Sequence, residues 1–484
     1  MEDPEPGLPP GRPVALDDRV LLWNGGSVIL GGAPWGVLRV APPARRFLQR
    51  LAEAGVAGVV PSAGAERALA NRLSARGIVH PVPALAGDVA DLDVIVPAFE
   101  RPHVLETCLA SLRATVPRAR LIVVDDASTD DDVGRVAHTH GALVIRHQMN
   151  RGPAAARNTG LRQATAPIVA FIDADCAVTP GWIEPLAAHF DDPRVVAVAP
   201  RVGSHRTSQA ALARYQDAHG VLDMGPRPEL VAAGAPLGYL PSAALLIRRS
   251  AVEGNAFDED LRLGEDVDLI WRLAEAGGIV RYEPSSVVTH EMRPDLRSWA
   301  RQVFDYGTSA AALDERHPRR LAPARLAAEN LLFAAALLVR RPSAPVRAVA
   351  ALAVAGWAVT LVRRSLRASS VDSAVAPLIA GKRLVSDAAA AGHLLRREWW
   401  PLGWLAVGHV RTSRWAQGAA ASMLVPVVSE WRKRRPPMAL ATYVLLRLVE
   451  DAAYGSGVIT GAIRSRRPGV LLPMVRLPRR PKTP

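Results

Sequence analysis

Two carboxylates one residue apart, Asp173 and Asp175, follow the apolar run Ile168-Val169-Ala170-Phe171-Ile172. Side chains delivered that way at a strand end can address one hard cation, Mg or Mn, and a cation held there bridges phosphate oxygens. Asp-x-Asp is common by chance, so its weight comes from the strand before it. A second acidic cluster, Asp125-Asp126-Ala127-Ser128-Thr129-Asp130, follows the run Leu121 to Val124. Its carboxylates can accept from a nucleobase N–H and ribose hydroxyls, although Ser and Asp also cap helices. Asn150-Arg151-Gly152-Pro153 opens an alanine-rich helix that carries Arg157 and Asn158 and ends its motif at Gly160. Gly152 permits close backbone approach to a ligand, and Arg157 suits a diphosphate or carboxylate. Gly264-Glu265-Asp266-Val267-Asp268 places acids at a helix start, where the dipole favours them whatever their role. A general base must lie within reach of an acceptor hydroxyl, and Asp266 is the candidate. His290, after Val287-Val288-Thr289, reads as the end of a short strand whose imidazole can complete a metal shell.

These groups need a scaffold that brings strand ends together. From Leu92 to about Val288, strand and helix patterns alternate. Leu92 to Val96, Leu121 to Val124 and Ile168 to Ile172 are short continuous apolar runs, the pattern of parallel strands buried on both faces. Leu245-Leu246-Ile247 is a shorter fourth, and His103 to Ala114 a helix between the first two. Open α/β sheets gather chemistry at the carboxyl ends of their strands, which is where the acids fall. After the first strand, Pro97-Ala98-Phe99-Glu100-Arg101-Pro102 stops the strand and aims a loop outward.

Two further zones flank this core. Up to about residue 86, Val20 to Trp23 and Ser27 to Leu30 form a hairpin around Asn24-Gly25-Gly26, followed by helical periodicity from Ala44 and from Ala65. Pro81-Val82-Pro83 and Gly87-Asp88 read as a linker. From Arg293 onward the chain is Ala/Leu/Val-rich helix broken by basic clusters, among them Arg340-Arg341, Arg363-Arg364, Arg396-Arg397, Trp431-Arg432-Lys433-Arg434-Arg435 and Arg479-Arg480. These account for most of the net charge of +13. Its longest charge-free runs, Ala348 to Val362 and Trp415 to Ser429, fall short of the ~20 apolar residues of a spanning helix. Surface-lying helices on an anionic leaflet are therefore expected ahead of spans. The clusters lack interleaved aromatics, so no nucleic-acid partner is expected. Cys108 and Cys176 are too few for a disulfide framework and read as reduced packing residues. The start Met1-Glu2-Asp3-Pro4 is acidic and proline-rich rather than basic and apolar. The expected location is the cytoplasmic face of the cell membrane.

Val94-Ile95-Val96-Pro97-Ala98-Phe99, Val124-Asp125-Asp126-Ala127-Ser128-Thr129-Asp130, Asn150 to Gly160, Asp173-Ala174-Asp175 and Gly264-Glu265-Asp266, in that order, resemble the family-2 glycosyltransferases of GT-A fold. The resemblance covers about Leu92 to His290. It implies an α/β core over residues 87–292, a nucleotide-diphosphate-sugar donor, a divalent metal and inversion at the anomeric carbon. By that likeness Asp125 or Asp126 meets the base, Asp175 the metal with Asp173 near the ribose, and Asp266 is the catalytic base. The donor pocket would draw on Pro97, Glu100, Asn150, Gly152, Arg157, Glu265 and Trp271. The amino-terminal residues 1–86 resemble the small PqqD-type winged-helix domains that capture leader peptides. Together with Phe304-Asp305-Tyr306-Gly307-Thr308-Ser309 and Arg316-His317-Pro318 in the helical region 293–484, the whole chain is similar to the actinobacterial mycofactocin-system glycosyltransferases. That likeness implies glucose from UDP-glucose added to a peptide-derived redox cofactor. The Gln-x-x-Arg-Trp signature of processive polysaccharide synthases is missing, which favours a short oligosaccharide. A cell-wall or lipid-linked rhamnosyl- or galactofuranosyltransferase is the nearest competitor. A nucleotidyltransferase would open with a Gly-rich loop where Pro97 to Pro102 stands, and an inert scaffold would have no use for Asp173, Asp175 and Asp266.

Overall fold

In the turn Asn24-Gly25-Gly26 all three residues take positive φ (48°, 62° and 84°). The strands it joins, Leu21–Trp23 and Val28–Gly31, are paired as the hairpin pattern requires. This is seen in a computed structural model that describes residues 7–83, 91–205, 208–252, 256–338, 343–368 and 375–477. The linker at Gly87-Asp88 and the clusters Arg340-Arg341 and Arg479-Arg480 lie outside the described residues. A third strand, Gly36–Arg39, extends the hairpin, and Val14–Leu16 pairs with Val79–Pro81. Helices Pro42–Ala54 and Ala65–Ser74 close the amino-terminal core with Phe47, Leu48, Leu51, Ala70 and Leu73.

The chain divides into two compact units, Met1–Thr207 with His219–Met292, and Ser208–Ala218 with Arg293–Pro484. The amino-terminal elements and the α/β core thus share one unit. Between them Arg12 pairs with Asp191 at 2.6 Å, Arg19 with Glu229 at 2.7 Å, and the buried Arg281 donates to the Ser74 hydroxyl at 2.6 Å.

The core is a nine-stranded mixed sheet. Strands Leu143–Arg146, Arg120–Asp125, Leu92–Ala98 and Ile168–Ile172 lie side by side in that order and run parallel. Alternation along each strand feeds two cores. Val94, Val96, Leu121, Val123, Ala170 and Ile172 face helices Pro102–Thr115 and Asp132–Thr139, while Ile95, Ile122, Val124, Val169 and Phe171 face helices Pro153–Gln163 and Glu265–Glu275. Gly160 lets its helix settle on the sheet, since a Cβ there would stand 2.4 Å from Ile95 Cγ2.

Beyond Ile168–Ile172 the sheet departs from the parallel expectation. Ala244–Arg248 runs antiparallel to it, with Leu246 opposite Ala170, and Val195–His205 runs antiparallel to that. A short apolar run buried on both faces looks the same in either chain direction, so its pattern carries no polarity. Two smaller corrections have similar causes. The first strand continues through Pro97 to Ala98, with Pro97 opposite Val124, rather than stopping at the proline. His290 does not end a short strand but lies near the end of the 13-residue strand Ile279–Glu291.

The second unit is helical, with long helices Ala344–Ala368, Ala376–Arg396, Arg414–Arg434 and Leu440–Arg464. The run Trp415 to Ser429 buries Ala416, Ala420, Met423 and Val427 in this bundle. The other run is longer than its charge-free count implied. Ala344–Arg363, with Arg347 near its start, is 20 residues at mean hydropathy 1.7 and only 11% buried, long and apolar enough to cross a bilayer. Of the basic clusters, Arg396 is no lipid contact: it is buried and holds Asp451 at 2.8 Å.

Candidate active site at the carboxyl edge of the sheet

Asp125 ends its strand fully buried. Ser128 donates its backbone N–H and its hydroxyl to Asp125 Oδ1, at 2.9 and 2.5 Å. Oδ2 accepts no hydrogen bond among the described residues, although Arg146 Nε stands 3.4 Å away as an ion-pair partner. Asp126 is committed inward. Its Oδ1 accepts from the Arg151 N–H at 2.9 Å and faces His147 Nδ1 at 2.7 Å, and its Oδ2 accepts from the Gly152 N–H at 2.7 Å. Of the two aspartates left open for the base, Asp126 therefore shapes the Asn150–Gly152 turn, and Asp125 is the one with an unmet acceptor. Gly152 takes φ 90°, which L side chains rarely adopt, and Asn150 is exposed beside it.

Glu100 lies on the neighbouring loop. Its Oε1 accepts from the Thr129 N–H and hydroxyl at 2.9 and 2.6 Å, and its own N–H donates to the Ser128 hydroxyl at 2.9 Å. It ties the loops after the first two strands together. Pro97 is half-buried within its strand, and Phe99 stands exposed at the loop tip.

Arg157 meets carboxylates, one of the two kinds of partner that suit it. The residue is 3% exposed, and its guanidinium rests 5.3 Å over the Phe257 ring and bridges Asp173 Oδ1 at 2.6 Å and Glu265 Oε1 at 2.8 Å. Asn158, buried beside it, clamps the backbone of Phe257 from both sides, at 2.7 and 3.0 Å. Arg157 thus orients two carboxylates instead of facing a diphosphate. Burial works against its charge, but Asp173 and Glu265 overcome this and hold its pKa well above the usual guanidinium value. The same contact engages Asp173 Oδ1.

Asp175 lies between an imidazole and a guanidinium. Its Oδ1 is 3.3 Å from His290 Nε2, and its Oδ2 is 3.6 Å from Arg101 Nη1. One carboxylate and one imidazole suit a cation of the Mg or Mn type, the nitrogen favouring the softer of the two. Among the described residues no three His, Cys, Asp or Glu side chains converge as a metal cluster. Asp175 and His290 are the side chains that would hold such an ion.

Asp266 starts the helix Glu265–Glu275 after Gly264, which is left-handed at φ 86°. Its Oδ2 accepts from the Ser242 N–H at 3.2 Å and its Oδ1 from the Val267 N–H at 2.8 Å. Three carboxylates, Asp173, Glu265 and Asp266, surround the one guanidinium of Arg157. Burial first, and the neighbouring Asp266 second, push Glu265 up to about 7, and burial likewise raises Asp266. The arrangement favours one retained proton between Glu265 and Asp266. Trp271 is buried and its indole N–H donates to the Gly238 carbonyl at 2.7 Å, so it secures the segment that leads to Ser242 beside Asp266.

Several residues of the site carry no signal in the motifs. Arg146 and His147 come at the end of the strand Leu143–Arg146, whose four residues are too few to stand out as an apolar run. The strand-end rule leads to both once that strand is known. Ser128 lies within the acidic cluster, but its double donation to Asp125 is not readable from residue type.

A sheet whose strand ends gather Asp125, Asp173 and Asp175, faced by Asp266 on a helix start, defines the class: residues 93–253 match the Glycosyl transferase family 2 model. A Pre-mycofactocin glycosyltransferase of Mycobacterium tuberculosis is 37% identical over 483 residues, an alignment that spans 97% of this chain and 99% of the relative. The chain belongs to that family of glycosyltransferases. The succinoglycan biosynthesis protein ExoU of Rhizobium meliloti is 31% identical over 207 residues, 39% of this chain and 58% of its own length. Among solved structures, a mannosyltransferase of Pyrobaculum calidifontis in complex with GDP-Man and Mn²⁺ covers 79% of this chain and 89% of its own at 18% identity, with a TM-score of 0.42. That likeness is too loose to carry any residue role.

Proposed function

We propose that the chain transfers a hexose, glucose from UDP-glucose, to a peptide-derived redox cofactor of the mycofactocin type, with inversion, and builds a short oligosaccharide. The observation that carries the reading is Asp266. It is a carboxylate fixed by two backbone N–H groups, raised in pKa by burial, and placed at the sheet edge where strand-end acids gather. A base with a raised pKa keeps enough proton affinity to take a hydroxyl proton while remaining ionised near neutral pH. In this reading an acceptor hydroxyl donates its proton to Asp266 and attacks the anomeric carbon in line with the departing diphosphate. Asp125 Oδ2 accepts from the nucleobase N–H once Arg146 swings aside, and Arg157 holds Asp173 and Glu265 in place. Asp175 and His290 would hold a Mg or Mn ion, whose chemistry is to neutralise charge on the leaving diphosphate. The test is nucleotide release from a panel of sugar nucleotides. UDP-glucose is expected to be turned over best, and removal of divalent ions by EDTA to reduce turnover at least about 100-fold. Equal turnover with EDTA present would exclude the metal assignment.

The same reading sets the protein on the cytoplasmic face of the membrane. Supporting it are the exposed apolar helix Ala344–Arg363 and the charge-free helix Trp400–Gly408, whose Leu402, Trp404, Leu405 and Val407 are exposed. Arg411 and Arg414 come soon after that helix, as headgroup anchors do. Full-length protein is expected to sediment with phosphatidylglycerol vesicles. Trp404→Glu with Leu405→Glu is expected to weaken that at least about tenfold. Unchanged sedimentation of the double variant would remove this helix from the contact.

A further inference from the structure

We propose that Arg101 is the exchangeable counter-cation of the Asp175 pocket. It neutralises that carboxylate while no divalent ion is bound, and turns to the donor's diphosphate when one is. The inference rests on the reading of Asp175 as a metal ligand.

Three observations support it. The first is backbone geometry: Glu100 and Arg101 are consecutive non-glycine residues at φ 54° and 57°, in the left-handed region that side chains avoid. Such strain persists where surrounding structure imposes it, and it concentrates at ligand sites. Here the restraints lie on both sides. Glu100 is bound to Ser128 and Thr129, and Pro102 opens the next helix. The loop is thereby bent so that the Arg101 side chain points at the metal position.

The second is what the guanidinium touches. Its Nη1 is 3.6 Å from Asp175 Oδ2, and its Nη2 pairs with Glu291. The Glu291 N–H in turn donates to the Asp175 carbonyl at 3.0 Å. His290 Nε2 occupies the other side of the Asp175 carboxylate. A cation coming to Asp175 between these groups therefore meets Arg101, and like charges cannot share one carboxylate oxygen in a half-buried pocket.

The third is mobility by exposure. The Arg101 side chain is 40% exposed and Glu291 46%, whereas Asp175 is 18% exposed. Arg101 is thus held by its partners and not by packing, unlike the buried Arg157. A guanidinium released beside a metal-bound diphosphate has a fork of donors that matches phosphate oxygens. Arg101 would supply the positive charge first expected of Arg157.

Competition and recognition predict opposite effects of one substitution. In full-length Arg101→Met, Mn²⁺ titrated without nucleotide is expected to bind about fivefold tighter than in the wild type, because its competitor is gone. UDP titrated at saturating Mn²⁺ is expected to bind about tenfold weaker. Arg101→Lys keeps the charge and loses the fork, so it should restore the wild-type Mn²⁺ affinity but only part of the UDP affinity. Mn²⁺ binding that is unchanged or weaker in Arg101→Met overturns the exchange, as does unchanged UDP binding. Asp175→Asn separates this from failure of the site reading. If it leaves Mn²⁺ binding intact, Asp175 is not a ligand and the proposal falls with that assignment.

Discussion

Asp266→Asn is expected to lower sugar transfer by roughly 10³-fold, within the range that a positioned general base contributes. UDP affinity should stay within about twofold, because the amide keeps the shape of the side chain and its Oδ1 can still accept one backbone N–H. The pH profile provides the sign. Burial raises Asp266, and burial with the Asp266 charge pushes Glu265 up to about 7. The native pair therefore holds a proton that free carboxylates release near pH 4. Wild-type transfer should fall as pH drops below about 7, as the pair takes up that proton. The stability linked to it runs the other way. Between about 4 and 7 the native state binds more protons than the unfolded chain, so this contribution is fully present at the acid end and is lost as pH rises through the window. Residual activity of Asp266→Asn that kept the wild-type pH profile would show that another group takes the proton.

Arg157→Leu carries the second large effect. It leaves the buried Glu265 and the partly exposed Asp173 without the guanidinium that bridges them at 2.8 and 2.6 Å. Removing one partner of a buried ion pair costs about 3–5 kcal/mol. Denaturant unfolding of the unit should show a loss of that size at pH 8. The loss should shrink toward pH 5.5, where the stranded carboxylates can neutralise by protonation. A loss under about 1 kcal/mol, as surface pairs give, would contradict a buried bridging role. Activity alone could not distinguish this role from diphosphate binding, whereas stability and its pH dependence can.

These two residues illustrate how much of the site is legible in the sequence. The acids can be found because buried apolar runs end at Val124 and Ile172, and the residues just past a strand in an open sheet lie at its carboxyl edge. Asp266 can be found because Gly264 breaks the chain just before a helix with an apolar face. Arg157 can be located but not its role. An arginine in an alanine-rich stretch suits a diphosphate and a carboxylate alike, and only the tertiary arrangement of Phe257, Asp173 and Glu265 encloses it. The contact of Asp173 with Arg157 is hidden for the same reason, since side-chain direction at a turn depends on the partner it meets. The direction of Ala244–Arg248 is hidden because a uniformly buried strand has no readable polarity. Ser242 escapes notice because it acts through its backbone N–H, and residue type does not encode which peptide group faces a carboxylate.

The central claim is sugar transfer to a peptide-derived acceptor at the Asp266 edge. It is tested most directly by mass spectrometry of pre-mycofactocin acceptor incubated with the protein, UDP-glucose and Mn²⁺. Successive hexose additions of about 162 Da to the acceptor are expected, absent with Asp266→Asn and with EDTA. An unmodified acceptor beside a sugar-bearing lipid or cell-wall product would contradict it.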